Sequence, residues 1–325
     1  MSRETITKRL CCKRVVYLNP TGRPSLQAKL TESLSRLKKV GNRKEILGED
    51  SNYVRTIIYH RPYANMLFGI LASYERGTHQ LTVADDDDAE MLTVVQVAPP
   101  KTNDDKRQEF LDGVCYFGIS KNIVVAVPSQ SLGTKPLEQH LNWILSQSGQ
   151  LEMDNRIGLK DEIAQATRER IMRSHVKEVE FGTQFIDFDQ SLQTSSNKQL
   201  TENFNYRGIG VDLLRKLIGK DKVNSMRLSD AVDGNIEVML KVRYNRNTTE
   251  KGHKLLDNIA LAVRHLDEDD VKLKLVGGGN ISGNELKLSS PVRVQALNGI
   301  PNPDELFDKM RNWLLNQIEN NIIEP

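Results

Sequence analysis

Between Asn235 and Leu297 three short runs alternate apolar and charged residues with a period of two, the signature of β-strands that bury one face. In the run from Ile236 to Tyr244, the residues Ile236, Val238, Leu240, Val242 and Tyr244 share one side, while Glu237, Met239, Lys241 and Arg243 share the other. Val271-Lys-Leu-Lys-Leu275 repeats the pattern with Lys272 and Lys274 outward. From Leu286 to Leu297, Lys287 and, beyond Pro291, Arg293 oppose Leu286, Leu288, Val292 and Val294. If the three runs join one sheet, Lys241, Arg243, Lys272, Lys274, Lys287 and Arg293 make one basic face, a surface suited to a polyanion. Past the first run, Arg246, Lys251 and Lys254 add charge at the start of a helix expected over 250–266, whose free N–H groups favour phosphate. Lys251 and Lys254 oppose the dipole of that helix, an arrangement that a bound anion relieves.

With 325 residues, 38% of them hydrophobic, the chain has the length for a sizeable core and for two domains. A formal net charge of +2 decides nothing, but its distribution is uneven: residues 1–50 carry twelve Lys or Arg against five acids, and residues 85–112 carry nine acids against three bases. Cys11, Cys12 and Cys115 make neither a disulfide framework nor a metal-finger spacing. No apolar run approaches the ~18–20 residues of a membrane span, and the polar N-terminus has no signal-peptide core. These features predict a cytoplasmic protein that carries no cofactor.

The fold class expected is α+β, with two mixed domains, 1–150 and 151–325, the second a largely antiparallel sheet with helices on one face. In the first domain, Arg14–Leu18 reads as a short strand and Pro24 opens a helix with Leu26, Leu30, Leu34 and Leu37 at helical spacing. Three runs, 53–59, 66–74 and 91–97, read as strands, Lys121-Asn122 joins a hairpin, and 136–146 reads as a helix. In the second, 159–174 reads as a helix with Ile163, Ala166, Ile171 and Met172 inward, followed by a strand over 176–181. A polar, aperiodic stretch, 184–206, reads as a hinge, Val211–Ile218 as a short helix closed by Gly219, and 303–323 as the last helix.

The order of these elements, carried by Gly158–Ser174 with Val176–Phe181, Gly210–Gly219, Lys241–Arg246 and Asp269–Gly277, resembles the RexA-like exclusion protein family of phage lambda. The resemblance covers the C-terminal half best and extends more loosely to 113–145; this chain is longer in its basic leader, its acidic 85–112 region and its polar stretch. It implies a cytoplasmic homodimer that binds double-stranded DNA without strong sequence preference and excludes superinfecting phage beside a small membrane partner resembling RexB. It implies no catalytic residue, and the chain is expected to be a non-enzymatic binding protein.

Two other classes stay open. Glu178, Glu180, Asp187 and Asp189 are same-face carboxylate pairs of the kind that holds a divalent cation in a nuclease, although alternating charge on an edge strand accounts for them equally. A basic face also serves a protein-interaction module that meets an acidic partner. The leader residues Arg3, Lys8, Arg9, Lys13 and Arg14 read as an arm on DNA or as solvated charge. Gly277–Gly279 reads as a hairpin turn and Asp85–Asp88 as a solvated turn. Cys115 reads as a core filler, and His140, His175 and His253 share no ligand or triad spacing. Trp313, Leu314, Ile318 and Ile322 form a stripe that serves either the core or a dimer surface.

Overall fold

The computed structural model describes residues 3–19, 24–48, 51–83, 91, 94–102, 107–152, 155–184, 237–244, 248–262 and 271–324. The expected hinge beyond Gln184, the helix over 211–218, Asp85–Asp88, Asp187, Asp189 and Arg246 lie outside these residues. The fold is α+β and mainly antiparallel. Two units divide the chain, one made of Met1–Glu162 with Lys287–Pro325 and the other of Ile163–Leu286. The expected boundary at 150 thus falls at 162, and the chain from Lys287 onward returns to the first unit.

In chain order, the first unit begins with β1 (Arg3–Tyr17), α1 (Leu26–Arg36), β2 (Glu45–Ile46), β3 (Tyr53–Tyr63), β4 (Met66–Glu75), β5 (Gln80–Val83) and β6 (Val94–Val97). It continues through β7 (Gly113–Ser120), β8 (Ile123–Val127), α2 (Thr134–Gln147) and β9 (Ile157–Asp161). The second unit holds α3 (Gln165–Ser174), β10 (Val176–Gln184), β11 (Glu237–Arg243), α4 (Glu250–Ala262), β12 (Val271–Leu275) and β13 (Asn280–Ser282). The first unit then resumes with β14 (Ser289–Leu297), β15 (Ile300–Pro301) and α5 (Pro303–Glu319). Its sheet runs β15-β14-β1-β8-β7-β4-β3-β2, with β9 also paired to β1. β5 and β6 form a two-stranded ribbon that pairs with no other strand among the described residues, and every residue of its two strands is exposed.

Period two sorts the central strands onto two buried faces. Leu67 and Leu71 of β4, Cys115, Phe117 and Ile119 of β7, and Val124 and Ala126 of β8 pack with α1 and α2. Their neighbours Met66, Phe68, Ile70, Tyr116, Val125 and Val127 pack with Leu306, Phe307, Met310 and Leu314 of α5. Since both faces are covered, β4 reads as one continuous apolar run. The stripe of the last helix is therefore core, with Trp313, Ile318 and Ile322 packed against the same cluster. Phe307 sits at its centre, 4.9 Å from Phe68 and 6.2 Å from Tyr59 between ring centroids. α5 starts where sequence says it must: the Asn302 side chain accepts from the Asp304 and Glu305 N–H groups, Pro303 opens the first turn, and both acids meet the positive end of the dipole.

Two expectations change here. The basic leader is the long strand β1 and not an arm, paired with β14 from Arg3↔Leu297 to Cys11↔Ser289. Its Lys13 bonds Asp161 and its Arg14 bonds Glu162 in side-chain ion pairs. The start of the helix expected over 159–174 is instead β9, because Ile157 and Leu159 are buried in the core beside α2 while the backbone pairs with β1. On the α2 face, burial pushes Glu45 up, but hydrogen bonds from His140 and Arg55 outweigh it and hold the carboxyl below its usual range. Burial drives His140 below the usual imidazole range in spite of Glu45. A neutral His140 that donates from Nδ1 to Glu45 at 2.8 Å leaves Nε2 as a buried acceptor without a partner among the described residues.

Candidate nucleic-acid interface

The second unit carries a sheet of order β11-β10-β12-β13. Val179, Val242, Leu273 and Ile281 belong to the core cluster shared with Ile171 of α3 and Leu256 and Ala260 of α4. The alternate residues make the other face, as the sequence predicts for β11 and β12. What the sequence does not reveal is that β10 lies between them, pairing Glu178 with Arg243 and Lys274, and Glu180 with Lys241 and Lys272. The face is a grid in which a column of two carboxylates separates two columns of two cations. β13 extends it, setting Asn280 opposite Lys274 and Ser282 opposite Lys272.

The charges are largely matched. Lys241 Nζ lies 2.5 Å from Glu180 and 3.5 Å from Glu178, and Lys274 Nζ lies 2.7 Å from Glu178 and 3.1 Å from Glu180. Hydrogen bonds from Lys241 and Lys274 bring the Glu180 carboxyl down to about 2, and those to Glu178 and Glu180 raise Lys274. Arg243 and Lys272 have no ion pair among the described residues, so two cations of the face stand without a carboxylate partner there. With their oxygens held by ammonium groups, Glu178 and Glu180 are poor ligands for a divalent cation. Among the described residues no three His, Cys, Asp or Glu side chains converge as a metal-holding set.

The remaining predicted cations lie elsewhere. Lys287 and Arg293 are in the first unit, where Arg293 pairs with Thr7 across β14 and β1, so the expected single face of three basic runs does not form. The reason is pairing choice: β14 finds its partner in β1, and the second unit completes its sheet with β10. Lys251 and Lys254 are exposed on the first turns of α4, and Lys254 bonds Glu250 at 2.7 Å.

One constellation is invisible to sequence reasoning. The His175 Nδ1 lies 2.8 Å from Asp257 Oδ2, and the other oxygen of that carboxylate accepts the Val176 N–H at 2.7 Å. His253, one helical turn before Asp257, stacks on His175 at 4.7 Å between centroids and takes the edge of Tyr244 at 5.4 Å. The His175 backbone, at φ 46° and ψ 150°, occupies a region almost reserved for glycine, which costs about 1–3 kcal/mol. Lys177 falls in a register break of β10. Lys177, Glu178, Arg243, Tyr244 and Lys274 line a cleft of about 410 Å³. The i, i+4 spacing of His253 and Asp257 is readable in sequence, but His175 lies 82 positions from Asp257 and only the fold joins them. No family model matches the chain, and no curated protein matches it.

Proposed function

We propose that the chain binds double-stranded DNA without reading its sequence, through the polar face of the β11-β10-β12-β13 sheet. The observation that carries this reading is the pair Arg243 and Lys272, exposed cations with no carboxylate partner among the described residues, on a face whose other cations are Lys241 and Lys274. Phosphates that meet these groups release condensed counterions, so affinity falls steeply with salt and depends little on sequence. The role in phage exclusion as a homodimer, beside a small membrane partner, follows from the family resemblance and belongs to the same proposal. No helix among the described residues is long and apolar enough to cross a membrane.

Electrophoretic shifts with two unrelated duplexes across salt concentrations test the binding. Similar affinities are expected for both, and the double variant R243A/K272A flattens the log–log salt slope by roughly 0.9 for each phosphate it no longer neutralises. An unchanged slope in a folded double variant overturns the assignment to this face. The interleaved Glu178 and Glu180 favour a second reading, a protein-docking face of patterned charge, and absence of any shift at low salt would select it.

A further inference from the structure

We propose that His175 and His253, joined through Tyr244 to the cleft lined by Lys177, Glu178, Arg243, Tyr244 and Lys274, form an acid–base site that cleaves single-stranded RNA by attack of its own 2′-hydroxyl. Three observations converge. First, His175 is built like a proton-transfer group: Asp257 accepts from its Nδ1–H, which fixes the tautomer and leaves Nε2 as the atom that exchanges a proton with a substrate. The same carboxylate also holds the next backbone N–H, so its position is set from two sides. Second, a neighbouring imidazole, His253, is stacked on His175 at 4.7 Å between centroids, so two proton-transfer groups stand side by side. Third, Tyr244 belongs both to this cluster and to the cleft, whose Lys177, Arg243 and Lys274 offer positive charge for the phosphate that reacts. The unusual backbone at His175 and the register break at Lys177 sit side by side at this place, as irregularities that re-aim side chains do beside reactive sites.

RNA is the substrate class this chemistry suits, because its 2′-hydroxyl supplies the nucleophile and the protein has only to move protons and hold charge. His253, which has no carboxylate behind it among the described residues, takes the proton from the 2′-hydroxyl. The 2′-oxygen then bonds phosphorus, the bond from phosphorus to the 5′-oxygen breaks, and His175 hands that oxygen its proton. The products are a 2′,3′-cyclic phosphate and a free 5′-hydroxyl, and solvent exchange restores both imidazoles. Asp257 is a positioning residue.

The inference shares the polyanion-binding face proposed above, so the experiment separates the two. The intact chain, in excess chelator, is mixed with a mixed-sequence single-stranded RNA and with its deoxy counterpart, while duplex DNA shifts are measured on the same preparation. Cleavage of the RNA to cyclic-phosphate ends with intact DNA is expected. H175N, which keeps a residue tolerant of positive φ, and H253N each lower the single-turnover rate by about 10²-fold or more, and neither moves the duplex shift midpoint. D257N, which can still accept the Val176 N–H but turns the wrong group toward Nδ1, lowers the rate at saturating protein without changing the RNA binding midpoint. Intact RNA, or cleavage that persists in both histidine variants, overturns the site. Failure of the duplex shift alone overturns only the DNA-binding reading.

Discussion

Glu180 decides how much of the positive charge on the second sheet is free to act. Its carboxyl is depressed in the folded chain by Lys241 and Lys274, so the stabilisation it provides is present above its unfolded value near 4.5 and is lost as pH falls toward about 2. The variant E180Q is therefore expected to show a shallower loss of stability across that acid window, read by chemical denaturation at successive pH values. At neutral pH the same change removes one of the two carboxylates that hold Lys241 and Lys274, so it raises DNA affinity and steepens the salt slope; a weaker complex would contradict the proposed face. Glycine matters at one pair of sites in the first sheet. Gly69 lies opposite Phe117, Gly118 lies opposite Phe68, and each aromatic ring covers the glycine across from it. A Cβ at Gly118 would come within 2.7 Å of Phe68, and one at Gly69 would meet the Phe117 ring. G69A should cost about 1–3 kcal/mol by overpacking, and adding F117L should recover part of that loss in urea melts.

At the scale of elements, the strands with clean alternation and the helices with complete start signals are legible in the sequence, and those whose partners lie far away are not. α1 begins as expected, with the Ser25 hydroxyl accepting from the Ala28 N–H at 3.2 Å, and the turn between β12 and β13 uses Gly278 and Gly279 at φ 87° and 92°. Cys115 is fully buried, as a core filler should be, and burial pushes its thiol up to about 12. β1 is hard to recognise because its basic residues look like solvent-exposed charge until Asp161 and Glu162 arrive from the end of β9. The face of the second sheet is half legible: spacing alone gives the outward direction of Lys241, Arg243, Lys272 and Lys274, but which strand lies between them depends on non-local pairing that period two does not encode. Because β1 is an interior strand, deletion of residues 1–9 should lower the thermal midpoint or prevent folding, as seen by circular dichroism. An unaltered melting curve would restore the arm reading.

On the scale of the whole molecule, the first unit is discontinuous, its sheet and its second core layer being completed by β14 and α5. A protease site placed in the turn at Gly277–Gly279 should therefore yield two pieces that separate only under denaturing conditions, since β14 stays paired with β1. Separation of the pieces in native gel filtration would refute that arrangement. The strand pairing also has a consequence for how the protein is made. As the chain leaves the ribosome, most of the first sheet is available long before residue 289, so the newborn β1 must wait with an open edge, and Leu10, Phe68 and Tyr116 must wait without α5 above them. Such a nascent intermediate displays both a strand edge and an oily patch while the whole second unit is translated, which makes the growing polypeptide a customer for chaperones until its last helix emerges.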